Sequence, residues 1–419
     1  MGRGGARSES KSFRTESSAE TRSIFAMEPA GLYVQIPFCA SKCSFCNFSS
    51  RVDRPDVLAA YARAVCQEIE RLPGIYAPHG IETLLASARI DTLYIGGGTP
   101  TILGPDLLCE IVERLRHRFS FTDGAEFTLE TTPGSAGDEF LRRARVLGIK
   151  RLSIGAQSFE DRELKAVGRL HSAAETFALV ESARKVGFNN VSLDLIAGLP
   201  FQTVTSWQAS LRAALSLRPE HLSIYLFEID AKSRLGSEVL EHGRRYHAIE
   251  VPGEDFMAEA YESARSALSD AGYIQYEISN FALPGFESRH NRKYWQLAPY
   301  FGIGAGAHSF DGVHRWANVV SSERYVELVD RKQSPMAEFR SLTTKELLEE
   351  FFFLGLRQIE GVDLDLARRQ WGTEAVGLWE TTISNLAGEG LLEHHRERVS
   401  LAPRAYLVSN EIFQQFLAD

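Results

Sequence analysis

Eight residues constrain this chain more than any others: Cys39-Ala40-Ser41-Lys42-Cys43-Ser44-Phe45-Cys46. The 419-residue sequence has five cysteines, and three of them fall in this C-x3-C-x2-C run. A zinc ribbon brings a second C-x2-C pair, because a structural tetrahedral site needs four protein ligands. Cys66 and Cys109 do not supply it, since each stands at helical spacing among apolar residues. Three thiolates on one short loop suit a [4Fe–4S] cluster, whose irons take cysteine sulfur, and three ligands for four irons leave one iron open. A structural zinc, or a disulfide pair beside a spare thiol, is the bland alternative.

Clustered, unpaired cysteines fit a reducing cytoplasm rather than a secreted disulfide scaffold. No apolar run is long enough to span a bilayer, so a soluble protein is expected. A net charge of −9 gives no overall electrostatic reason for nucleic-acid binding. Residues 1–26 are Gly, Arg, Ser, Glu and Thr with almost nothing apolar, a composition that cannot bury enough surface to order itself. They are expected to form a disordered extension, with Met27 a candidate start. Glu9, Glu16 and Glu20 argue against a transit peptide, and no secretory h-region is present.

From Leu32 onward, strand-like runs alternate with amphipathic helical stretches. Strands are predicted at Leu32–Pro37, Asp91–Ile95, Glu126–Thr131, Arg151–Ala156, Asn190–Ile196 and His221–Phe227. Helices are predicted at Val57–Arg71, Pro105–Arg118, Asp138–Leu147, Ala173–Val186 and Thr205–Leu217. Six such units indicate an α/β fold with a parallel sheet covered by helices. Chemistry then gathers beyond the carboxyl ends of the strands, where polar or glycine-rich groups recur. They are Gly96-Gly97-Gly98-Thr99-Pro100, Glu130-Thr131-Thr132-Pro133, Gln157-Ser158, Gly168-Arg169-Leu170-His171 and Asp194 within an apolar run. Taken singly, each is more often a turn, a cap or an ion pair.

The cluster loop, set just after a strand and read as C-x3-C-x-F-C, resembles that of radical S-adenosylmethionine (SAM) proteins. Within them, the chain resembles the oxygen-independent coproporphyrinogen III oxidase group from Tyr33 to its C-terminus. The resemblance implies a partial (βα)6 TIM-like barrel in which Cys39, Cys43 and Cys46 hold a [4Fe–4S] cluster and the open iron chelates SAM. It also implies that Gly97, Gly98 and Thr99 receive the SAM amino group. Tyr33, Phe45, Glu130, Gln157, Arg169 and Asp194 are the further cofactor-binding positions carried over.

Past the sixth strand, a helix at Phe256–Ala271 leads into Tyr276-Glu277-Ile278-Ser279-Asn280. His290-Asn291-Arg292-Lys293-Tyr294-Trp295 and Gly302-Ile303-Gly304-Ala305-Gly306-Ala307-His308 follow. Polar, aromatic and glycine-rich groups in one stretch suggest a lined cavity. The H-N-x-x-Y-W run resembles a signature of the heme-chaperone branch, which makes His290 and His308 candidate heme contacts. On residue chemistry alone, His290 is better read as hydrogen-bonded inside a loop, and the family resemblance raises the heme reading to equal weight. The barrel and this segment are expected to occupy 27–335. The remainder, 336–419, is expected to form a mainly helical, winged-helix-like domain with helices at Thr344–Arg357, Leu364–Trp371, Glu374–Glu389 and Arg404–Leu417. No basic stripe marks its Glu374–Glu389 helix, so a packing or docking module is favoured over a DNA reader.

Two functions follow from the resemblance. One is a heme chaperone that binds the cluster and SAM and passes heme to acceptor apoproteins. The other is radical decarboxylation of coproporphyrinogen III to protoporphyrinogen IX. Decarboxylases of the group resemble C-x3-C-x2-C-x-C, and Phe48 stands here in place of the fourth cysteine. The chaperone reading is therefore preferred, without oxidase activity. Heme-degrading or methyl-transferring relatives have no signature here. Expected partners are heme, its acceptors (soluble or membrane-associated) and a flavodoxin-type reductant, but no nucleic acid. The open edge of an incomplete barrel leaves room for a homodimer.

Overall fold

A computed structural model describes residues 28–81, 85 and 87–417. The extension expected at 1–26, and Met27, lie outside them. Six parallel strands run side by side in chain order: β1 (Ala30–Ile36), β2 (Arg89–Gly97), β3 (Ser120–Thr131), β4 (Arg151–Gln157), β5 (Val191–Ala197) and β6 (His221–Leu226). β1 and β6 are not paired to each other, so the barrel stays open. Helices α1 (Pro55–Tyr76), α2 (Gly104–Arg118), α3 (Asp138–Val146), α4 (Asp161–Ala166), α5 (Ala173–Lys185) and α6 (Val204–Ser216) separate the strands. Capping fixes where several of them start. The Ser172 and Thr203 side chains accept hydrogen bonds from the third backbone amides of α5 and α6, satisfying donors that a helix start leaves orphaned.

Alternation along the strands divides the barrel into an oily outside and a polar inside. Leu32, Val34 and Ile36, Leu93 and Ile95, Phe127 and Leu129, Leu152 and Ile154, Leu193 and Leu195, and Leu222 and Ile224 join the main apolar core. The intervening residues turn to the lumen. In register across the first four strands are Tyr33, Tyr94, Thr128 and Arg151, one side-chain layer of a barrel interior.

Both open edges are extended by strands that the apolar pattern did not predict, because they are short. Beside β6 lie β8 (Asn280–Ala282) and β7 (Ile274–Gln275). Beside β1 come β9 (Tyr300–Ile303), β10 (His308–Phe310), β11 (His314–Asn318) and β12 (Met336–Ser341). β9 runs parallel to β1 and the others pair antiparallel. Met336–Ser341, just past the boundary expected at 336, is the edge strand of the main sheet, paired to β11, and a small C-terminal unit follows it. That unit has helices at Thr344–Gly355 and Leu364–Trp371, and a hairpin of Leu392–His395 with Arg398–Leu401. The single helix expected at 374–389 is two short ones, Thr373–Gly377 and Glu380–Gly388. The unit is welded to the barrel rather than tethered. Its Phe352, Trp379 and Phe416 belong to the same apolar core, and Arg357 reaches the fully buried Glu277 at 3.2 Å.

Candidate functional site

At the carboxyl ends of the six strands lies a cavity of about 580 Å³. Its lining contains Cys39, Cys43, Phe45, Cys46, Gly97, Gly98, Thr99, Glu130, Gln157, Arg169 and Asp194. Eleven of the fourteen side chains and turns singled out in the sequence thus meet in one place. Tyr33, His290 and His308 are outside that lining.

The cysteine loop is held by elements distant in sequence. Cys39 N donates to Arg51 O at 2.9 Å, and Ser44 N donates to Val167 O at 3.0 Å. Leu235 N donates to Ser44 O at 2.8 Å, and Asn47 donates to Asp230 at 3.0 Å. Lys42 Nζ closes the loop on itself through Phe48 O at 2.7 Å and Ser50 O at 2.9 Å. Arg234 also bonds Lys42 O. The loop's shape is therefore set by the surrounding protein. All three thiols are free, and burial raises the pKa of Cys39. Cys66 packs in the apolar core and Cys109 donates to Glu113, so neither joins the loop.

The glycine turn lies directly against that loop. Gly98 N donates to Ile36 O at 2.8 Å and Thr99 N donates to Phe38 O at 2.7 Å. A Cβ at Gly98 would overlap the Phe38 carbonyl, and one at Gly97, whose φ is +112°, would sit 2.6 Å from Gln35 Nε2. Only glycine permits this approach. Glu130 braces the turn from the next strand, accepting from Gly97 N at 2.9 Å and from Tyr94 OH at 2.8 Å. Burial pushes its pKa up to about 7 against those two bonds. Asp194 is raised to about 6 by burial, which its bond from Ser223 and the charges of Arg151 and Arg169 oppose. Gln157 has φ +69° beside a register shift between β4 and β5. Such bulges re-aim a side chain at the end of a strand.

Arg169 and His171 complete the wall. Arg169 Nη1 donates to Cys43 Sγ at 3.6 Å, and Nη2 is anchored on Gly155 O. His171 Nε2 donates to Ala156 O at 3.2 Å, and its buried Nδ1 has no partner. Burial, then Arg169, lowers this imidazole to about 4. Apolar side chains ring the mouth, with Phe48 67% and Leu170 73% exposed.

The two histidines go elsewhere. His290 stands on a seven-residue helix, α9 counting α7 (Arg234–Leu240) and α8 (Glu254–Asp270), which runs from Arg289 to Trp295. Its imidazole is buried, Nδ1 bonded to Thr92 Oγ1 at 2.8 Å and Nε2 to Tyr294 OH at 2.9 Å. Tyr33 stacks on it, and Gly31 makes room, since a Cβ there would lie 3.0 Å from the ring. Lys293 and Arg289 both pair with Asp91. The H-N-x-x-Y-W run therefore plugs the barrel floor. Both ring nitrogens of His290 are thus engaged within a buried layer. Tyr33 lies in this aromatic layer, its hydroxyl donating to Gln35 at 2.8 Å. His308 is exposed on β10, in the sheet extension, and its pKa is lowered by its partial burial and then by Arg315.

Sequence reasoning missed Arg151, which is buried in the lumen with Nε and Nη1 unpartnered and with Glu126 as the nearest opposing influence. Its signal was a cation opening an otherwise apolar strand. The clamp from Asp230 and Arg234 had only a loop to announce it.

The residues present fit the cofactors expected. Three free thiols share one wall, and a backbone turn stripped of side chains faces them. Among the described residues no three His, Cys, Asp or Glu side chains converge tightly enough for a single ion.

Residues 33–214 match the Radical SAM superfamily and residues 342–408 match the HemN C-terminal domain. The heme chaperone HemW of Bacillus subtilis is 35% identical over 390 residues, covering 92% of this chain and 99% of that protein. The mitochondrial radical S-adenosyl methionine domain-containing protein 1 of Bos taurus is 32% identical over 91% of this chain and 86% of that one. Among solved structures, the coproporphyrinogen III oxidase HemN of Escherichia coli superposes with a TM-score of 0.81 at 24% identity, over 95% of this chain and 92% of that one. That likeness establishes the fold. Superfamily membership brings a [4Fe–4S] cluster and SAM as cofactors. With sequence similarity running almost end to end and the cavity built as described, the chain belongs to the radical SAM superfamily and, within it, to the HemW family.

Proposed function

We propose that this protein is a heme chaperone that binds a [4Fe–4S] cluster and SAM and delivers heme to acceptor apoproteins. One observation carries the reading. The similarity to HemW proteins spans nearly the whole of both chains, and Phe48, an exposed aromatic at the cavity mouth, occupies the place of the decarboxylases' fourth cysteine. Cys39, Cys43 and Cys46 hold the cluster. Gly97, Gly98, Thr99, Glu130, Gln157, Arg169 and Asp194 hold SAM, with Phe45 at its side. When bound, cluster and SAM supply one-electron reduction of a sulfonium. The protein's part is to fix the loop, present bare backbone amides and carbonyls, and keep Glu130 braced against the turn.

Heme is proposed to bind away from the floor. His308 is the exposed candidate of the two histidines, its imidazole neutral at physiological pH and therefore able to ligate iron. A flavodoxin-type reductant, a cytoplasmic location and a homodimer through the open sheet edge at β12 belong to the same proposal. No helix among the described residues is long and apolar enough to cross a membrane.

Anaerobic reconstitution should give a cluster whose spectrum responds to SAM, lost when Cys39, Cys43 or Cys46 becomes alanine. Heme titration should saturate at about one per chain and weaken in His308→Ala but not in folded His290→Ala. Efficient turnover of coproporphyrinogen III with SAM and a reductant would defeat the chaperone reading.

A further inference from the structure

The three cluster-loop thiols do not have equivalent neighbours. Cys46 Sγ lies 3.9 Å from the neutral Ser50 hydroxyl, and the groups that influence Cys39 beside the other thiols are the neutral hydroxyls of Ser50 and Thr99. Cys43 is buried and takes its hydrogen bond, at 3.6 Å, from the guanidinium of Arg169. This guanidinium is not a mobile surface group. Its other nitrogen is anchored on the Gly155 carbonyl, and its buried Nε has no partner.

A hydrogen bond to a cysteine sulfur draws electron density from a cluster and makes its reduced form easier to reach. A charge-assisted bond is about twice as strong as a neutral one, and a fixed positive charge favours the added electron whatever the pH, since arginine does not deprotonate. We infer that Arg169 sets the reduction potential of the cluster through Cys43, as a positioning residue distinct in this role from any contact it makes with SAM. The inference rests on the cluster assignment made above. One guanidinium then stands at the junction of the electron-accepting centre and the SAM pocket.

The test is an EPR-monitored potentiometric titration of anaerobically reconstituted full-length protein without SAM, so that loss of a SAM contact cannot contribute. Iron and sulfide content are measured on every sample. Arg169→Gln should move the midpoint to more negative potential, lowering the reduced-to-oxidised ratio at the wild-type midpoint about tenfold, or ~59 mV for one electron. Arg169→Lys, which keeps the charge but not the planar fork, should shift less, and Ser50→Ala least. Unchanged midpoints in both arginine variants with a full complement of iron would overturn the inference and leave the cluster reading standing. Loss of the cluster from both variants would make Arg169 an assembly residue and overturn it as well. A wild-type protein that takes up no cluster would sink the assignment on which both rest.

Discussion

Replacing Glu130 with glutamine tests whether the turn's brace is held against an electrostatic cost. The carboxyl is raised from 4.5 to about 7, burial outweighing the bonds from Tyr94 and Gly97. An acid whose pKa is higher folded than unfolded binds more protons in the native state, so the penalty is absent at low pH and grows as pH rises from about 4.5 to 7. Between pH 5 and pH 8 it amounts to about 2.5 kcal/mol, at roughly 1.4 kcal/mol per pKa unit, and residual water access reduces that. Glu130→Gln is nearly the same shape and does not ionise. Urea denaturation of the metal-free chain should therefore find the variant gaining about 1–2.5 kcal/mol on wild type between pH 5 and pH 8. Asp194 is raised in the same direction, and its charge is among the influences that raise Glu130. A stability difference that does not change with pH would refute the reasoning.

Other perturbations separate floor, turn and C-terminal unit. His290→Ala empties a fully engaged buried site, and should cost about 2–4 kcal/mol in chemical denaturation while leaving heme uptake by the folded fraction as it was. Gly98→Ala drives a methyl into the Phe38 carbonyl; SAM affinity, read by calorimetry, should fall at least about tenfold, equivalent to ~1.4 kcal/mol, with an unchanged far-UV spectrum. Arg357→Ala leaves Glu277, whose pKa burial already raises, without its cation. It should destabilise by about 2–3 kcal/mol at pH 8, less than at full burial because Arg357 is partly exposed, and the deficit should shrink toward pH 5 as Glu277 takes up a proton.

The barrel and its cavity end were legible in the sequence because two simple periodicities survive there. Strands of the parallel core keep one face oily, and the residues that break each run, such as Glu130 and Asp194, do so where a lumen or a mouth demands it. The cysteine loop and the triple glycine need no alignment to be noticed, since both are locally improbable and chemically specific. What escaped was geometry assembled from far apart. β7 to β12 are too short to show a period, and the clamp of Asp230 and Arg234 on the loop spans nearly two hundred residues. His290 is ambiguous in the sequence for a related reason. A histidine among polar and aromatic residues looks the same whether it awaits a ligand or already has Thr92 and Tyr294, and only the packing of Gly31 and Tyr33 against it decides.

The plugged floor also bears on what a short motif can report. Six residues that tie Asp91, Thr92 and Glu126 together beneath the lumen describe a keystone, and a keystone reports how an arch stands and not what passes through it. Chains that share this run should share a sealed underside and one-sided access from above, whatever cargo they handle. Diversity in that cargo is then to be sought among the rim side chains around Phe48 and Leu170, where nothing in the architecture fixes the choice.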